Sequence, residues 1–266
     1  VQVGFDATSA MALHSSASFV ALVSALIILM YQMKCIGKAE GSSFVPKLYP
    51  RLLGDAGSFA LLAILQLLNA SVGILILGFL GADSDSGQFR VASQLAGLTS
   101  FGLAAVNPAL HSTFAKLIAD GKRHELQKVV STGVRVSSLI AIFPILALLV
   151  APAFTLELLF GEQYQHATVI LRILLLGQTL NVILGPVAAL LNMGGYQRVT
   201  IYAIGAAVFL NALVAVFLWP IYGVEGVAIG TAVGFLVWNV SLWFAVKRKL
   251  GVNTAVWFRY LGNERC

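Results

Sequence analysis

The sequence predicts an all-α integral membrane protein with about seven transmembrane helices. Three observations lead there. The chain is 59% hydrophobic and only 11% charged, with a mean hydropathy of +0.89, whereas soluble domains carry about 25% charged residues. Its apolar residues collect into seven segments long enough for a hydrocarbon core, which takes about 20 residues per helix. The hydrophilic gaps between those segments alternate in charge.

The segments are 11–33, 56–80, 89–117, 129–150, 168–193, 199–219 and 225–246. The gap after the first holds Lys34, Lys38, Lys47 and Arg51, and the next holds Asp83 and Asp85. Then come Lys116, Lys122, Arg123 and Lys128, followed by Glu157 and Glu162. Arg198, Glu225 and the run Lys247-Arg248-Lys249 continue the alternation. Basic loops stay in the cytoplasm, so the first segment starts outside and the tail ends inside. The basic net charge of +6 therefore needs no anionic partner, and no nucleic acid is expected.

The first segment, 1–33, reads as the last helix of a preceding unit that is missing here. The gap 34–55 contains Gly37, Gly41, Pro46, Pro50 and Gly54 and reads as a cytoplasmic linker between two units. Residues 56–246 then form a six-helix lobe, joined by short turns such as Trp219-Pro220-Ile221-Tyr222-Gly223. Short connections give antiparallel neighbours. The tail, 247–266, is expected in the cytoplasm, with Val256, Trp257, Phe258, Tyr260 and Leu261 suited to an interfacial helix. Cys35 and Cys266 both fall on the cytoplasmic side, where a disulfide is not expected. No Cys/His spacing resembles a metal site, and no cofactor is expected.

Polar side chains are costly against lipid and turn inward. Gln66, Asn69 and Gly73 follow helical spacing on the second segment. Arg90, Gln94, Gly97, Phe101, Ala104, Pro108 and His111 share a face of the third. The fifth carries Arg172, Gln178, Asn181, Gly185 and Asn192, with Gly185-Pro186 breaking it. Irregular backbone at membrane depth is tolerated only against protein or a water-filled cavity. Such stripes also serve as packing glue, and Gly226, Gly230 and Gly234 on the last segment read that way. The arginines can also snorkel to the outer interface.

Three stretches resemble a known family. They are LILGFLGADSDSGQFRVASQLAGLTSFGLAAVNPAL at 75–110, LFGEQYQHATVILRILLLGQTLNVILGPVAALLNMGG at 159–195 and IYGVEGVAIGTAVG at 221–234. Together they look like the carboxy-terminal half of bacterial polysaccharide-biosynthesis flippases, the O-antigen and exopolysaccharide translocases. These belong to the superfamily of multidrug, oligosaccharidyl-lipid and polysaccharide exporters. The chain departs from the family's pattern at Asn69-Ala70-Ser71 and at Tyr196-Gln197.

The resemblance implies two six-helix lobes around a central cavity in the cell inner (cytoplasmic) membrane, working by alternating access. It implies a transporter, not an enzyme. The implied substrate is an undecaprenyl-pyrophosphate-linked oligosaccharide. Arg90 and Arg172 are then candidates for the pyrophosphate, because a guanidinium makes paired charge-assisted bonds to such groups. Gln66, Asn69, Gln94, Gln178 and Asn181 are candidates for the sugar. A cation-coupled multidrug exporter of the same superfamily is the first alternative, and would be favoured by an acidic residue at depth. An integral-membrane polysaccharide polymerase or glycosyltransferase is the second, and would be favoured by a sizeable outer loop.

The loop alternation is directly testable. In a cysteine-free background, Ser84→Cys and Lys122→Cys should react with an impermeant maleimide from opposite faces of the membrane. Reaction of both from one face would contradict the topology.

Overall fold

The computed structural model describes residues 45–80 and 83–256, with side chains at 56–80 and from 84 onward, together with three helical positions at Val20, Val23 and Ser24. The chain divides into two units, Val1–Gly57 and Ser58–Cys266, and the second is described here. The described residues are helical apart from turns and the segment 251–256. The helices are α1 (Val45–Phe79), α2 (Asp83–Leu98), α3 (Phe101–Ala119), α4 (Arg123–Val150), α5 (Pro152–Phe160), α6 (Thr168–Leu184), α7 (Val187–Met193), α8 (Gln197–Tyr222) and α9 (Val224–Leu250).

Among the described residues, five helical stretches are long and apolar enough to cross a membrane: Ala56–Phe79, Arg123–Val150, Glu162–Leu184, Gln197–Tyr222 and Val224–Leu250. Large apolar side chains such as Phe79, Phe143, Val150 and Phe217 stand exposed on their surfaces. An exposed apolar exterior around apolar helices is stable in lipid, not in water. The protein is an all-α, multi-pass membrane protein.

These five stretches overlie five of the seven expected segments. The expected first segment lies outside the described residues, apart from the three helical positions. The expected third segment is not one helix. It is split at Thr99-Ser100 into α2 and α3, neither of which is among the five span-length stretches. The Thr99 hydroxyl donates to the Ala96 carbonyl at 2.7 Å, and the Ser100 N–H donates to the Gly97 carbonyl at 3.0 Å. These i→i−3 bonds tighten the turn. Arg90 and Gln94 therefore lie on α2, and Ala104, Pro108 and His111 lie on α3.

Three other boundaries differ from the sequence reading. The stretch 45–55, read as linker, is helical, and Pro46 falls in the first turn, where a missing N–H removes no helical bond. The loop 151–167 contains α5 and a 3-10 turn, Glu162–Ala167. Pro220 lies in the last turn of α8, and the chain reverses one step later at Gly223.

Packing is organised around two apolar cores. One gathers Leu77, Phe89, Leu95, Leu156, Ile170, Leu171 and Leu174 where α1, α2, α5 and α6 meet. The other gathers Phe114, Leu126, Val130, Val134, Leu190, Leu242 and Val246 where α3, α4, α7 and α9 meet. The small-residue face on α9 draws α8 close. A Cβ on Gly230 would stand 2.8 Å from the Ala215 nitrogen and the Asn211 carbonyl oxygen, so only glycine permits that approach.

The break between α6 and α7 shapes the other end of the bundle. Gly185 adopts φ 72° and ψ −153°, a region open essentially to glycine alone, and a Cβ there would collide with Val134. The break leaves α6 carbonyls without helical donors. One is answered by the segment after α9, since the Val256 N–H donates to the Ile183 carbonyl at 3.0 Å. Residues 251–256 were expected in a cytoplasmic tail. They fold back against the bundle, with Val252, Thr254 and Ala255 buried. Residues 257–266 lie outside the described residues.

Gln127 on α4 clamps this segment. Its Nε2 donates to the Asn253 carbonyl at 2.7 Å, and its Oε1 accepts the Asn253 N–H at 2.8 Å. Asn253 Oδ1 in turn accepts the Trp243 indole N–H at 3.1 Å. Gln127→Leu removes both backbone partners at once, and each buried group left unpaired costs about 1–3 kcal/mol. The variant should lower the thermal unfolding temperature in detergent and speed hydrogen exchange at the Asn253 amide. Unchanged exchange at that amide would show that the clamp holds nothing.

Candidate functional site: an amide-lined cavity

A cavity of about 720 Å³ lies within the helical unit, inside the range of about 300–1,000 Å³ typical of ligand clefts. Five helices and two turns build it. α1 contributes Phe59, Gln66, Asn69 and Ala70, and α3 with its preceding turn contributes Ser100, Leu103, Asn107, Pro108 and His111. The broken α6–α7 pair contributes Gln178, Asn181, Gly185, Pro186 and Asn192, and α9 contributes Phe235, Trp238 and Asn239.

The lining continues across the break at Gly185-Pro186. Asn192 and Met193 after it line the same space as Gln178 and Asn181 before it. Helical spacing on α1 puts Gln66 and Asn69 on a common face, and Asn69 is buried.

Part of the wall is tied together across helices. The Ser100 hydroxyl donates to Gln178 Oε1 at 2.8 Å, and Asn181 Nδ2 donates to the Ser100 oxygen at 3.4 Å. The turn that splits the expected third segment therefore supplies the hydroxyl that orients both α6 amides. On α9, Asn239 Nδ2 donates to its own helix at the Phe235 carbonyl, 2.9 Å away.

Of the residues singled out from sequence, Gln66, Asn69, Gln178 and Asn181 come together on this wall. Arg90, Gln94 and Arg172 are not among its lining residues and are exposed on α2 and α6. Arg90 and Gln94 are separated from the wall by the turn at Thr99-Ser100. Arg172 lies near the start of α6, almost two turns before Gln178.

Sequence reasoning did not select Ser100, Asn107, Asn192, Trp238 or Asn239 as site residues. Asn239 had a usable signal, an amide alone within the apolar last segment, which lipid would penalise. Ser100 had none, because its role depends on the helix break. Among the described lining residues there is no Lys, Arg, Asp or Glu, and His111 is the one imidazole. Among the described residues no group of three or more His, Cys, Asp or Glu could hold a metal ion. The wall can offer neutral donors and acceptors, an imidazole and aromatic faces.

Comparison with known proteins agrees with this architecture. A segment of 169 residues is 25% identical to a protein of Haloferax volcanii described as a probable low-salt glycan biosynthesis flippase, Agl15. The match covers 62% of this chain and 35% of that relative, so the chain spans well under two thirds of the relative's length. No solved structure matches. The MatE family model matches residues 53–217, a stretch that runs from α1 through most of α8 and includes most of the cavity wall. A match over more than half of the chain places it in that family of membrane transporters: the protein belongs to the MatE family.

Proposed function

We propose that this chain is one lobe of a flippase that carries a lipid-linked oligosaccharide across the cytoplasmic membrane by alternating access. The supporting observation is the amide-lined cavity. Gln66, Asn69, Asn107, Gln178, Asn181, Asn192 and Asn239 converge on it from five helices. Amides both donate and accept, which suits the hydroxyls and acetamido groups of sugars. The similarity to a probable glycan flippase supports the same substrate class.

In this reading the sugars cross within the cavity while the lipid tail stays in the bilayer. A second lobe, facing this one, completes the passage. Gln66, Asn69, Gln178 and Asn181 are proposed sugar contacts. Arg90, Arg172 and Gln94 stand away from this wall. Their proposed role, with the arginines on the pyrophosphate and Gln94 on a sugar, therefore requires the substrate to meet a second surface near the other end of α6. The O-antigen is one such glycan, and the reading extends to other surface polysaccharides.

The test uses the full-length protein reconstituted in vesicles. The probe is a fluorescent undecaprenyl-pyrophosphate disaccharide, read by dithionite quenching of the outer leaflet. The protein should equilibrate the probe between leaflets and leave ethidium untransported. Ethidium transport without movement of the lipid-linked sugar would favour the multidrug exporter and overturn this reading.

A further inference from the structure

The polar wall of the cavity divides by hydrogen bonding. Gln178 and Asn181 both bond to the Ser100 hydroxyl. Three atoms on other lining residues, Asn192 Oδ1, Trp238 Nε1 and Asn239 Oδ1, are buried with no partner. Asn239 is only 1% exposed, and its Nδ2 is already committed to the Phe235 carbonyl, so its free atom is an acceptor. Native proteins keep few unpaired buried polar atoms, and each one calls for an explanation. Leu or Phe in these places would pack α7 against α9 without that cost.

Two acceptors and one donor match the needs of sugar hydroxyls, each of which donates and accepts. The neighbouring surface fits the other half of a pyranose. Trp238 and Phe235 stack with centroids 6.2 Å apart and planes 23° apart, giving a broad apolar face for ring C–H groups. Among the described lining residues no full charge stands ready to pair with a carboxylate or phosphate, and burying an unpaired anion is costly.

We propose that Asn192, Trp238 and Asn239 form a hydroxyl-binding subsite for one neutral sugar ring of the transported glycan. The proposal rests on the flippase reading above and adds the residues and the charge class of the sugar they accept. The three polar atoms are covered in the protein as described, so binding shifts the lining side chains enough to reach them.

The test again uses full-length protein in vesicles, with two probes. One is undecaprenyl-pyrophosphate chitobiose, and the other is its counterpart ending in glucuronic acid. The wild type should move the neutral probe faster. Trp238→Phe keeps the aromatic face and removes the N–H, and Asn239→Leu keeps the volume and removes the acceptor. Each should slow the neutral probe about fivefold to tenfold, the scale of one lost hydrogen bond. Neither should lower the thermal unfolding temperature, because each removes an unpaired buried atom, and the Phe235 carbonyl that loses Asn239 Nδ2 lies within the regular hydrogen bonding of α9. Normal rates in both variants would overturn the subsite and leave the flippase reading standing, and so would slowing matched by a fall in stability. Equal rates for the two probes in the wild type would overturn the neutral-sugar assignment. A wild type that moves neither probe would overturn the flippase reading itself.

Discussion

Backbone polar groups cannot be left to lipid, and that constraint governs the break at Gly185-Pro186. A glycine in a conformation closed to other residues, followed by proline, ends α6 inside the membrane domain. The structure answers the exposed backbone locally. Asn181 takes the Gly185 N–H on its carbonyl at 3.2 Å, and Ile183 takes the Val256 N–H. The second bond needs the chain after α9 to return into the bundle, and that return needs Gln127 to hold Asn253 on both sides. A break that serves the cavity is therefore linked to a clamp on a different helix and to a segment far away in sequence.

The same break lies in the cavity wall. Gly185 and Pro186 line it together with α6 side chains before them and α7 side chains after them. Ser100, in the turn that separates α2 from α3, also lines it and donates its hydroxyl to Gln178. Interruptions of regular helix thus lie in the polar wall at both places. The regular parts of the bundle, with their Leu- and Val-rich cores and the close α8–α9 contact at Gly230, hold those interruptions in place.

The legibility of the sequence follows this division. The membrane class was plain, because apolar length and low charge are summed over many residues and survive local error. The glycine face of α9 was also readable as packing, since its four-residue spacing encodes the contact directly. The amides of α1 and α6 were readable as inward-facing, because lipid leaves them no other stable orientation. The split at Thr99-Ser100 was not readable. Thr and Ser are tolerated within helices, and only the local i→i−3 bonds reveal the turn. Reading one continuous helix there placed Arg90 and Gln94 on one element with Ala104, Pro108 and His111, which belong to α3. The return of residues 251–256 was hidden too, because it depends on Gln127, more than a hundred residues earlier. Hydrophobic periodicity carries no record of such a pairing.

If these interruptions exist to build a passage, a glycan in transit must touch the cavity wall and not the lipid-facing surface. Photocrosslinking in the full-length protein measures this directly. A benzophenone amino acid would replace Asn107, which lines the cavity, or Phe143, which is 79% exposed on α4. Membranes containing the lipid-linked oligosaccharide would then be irradiated, and adducts probed for sugar. The account predicts glycan-bearing adducts at position 107 and none at 143. Sugar-bearing adducts at 143 with none at 107 would show that the glycan does not pass through this cavity.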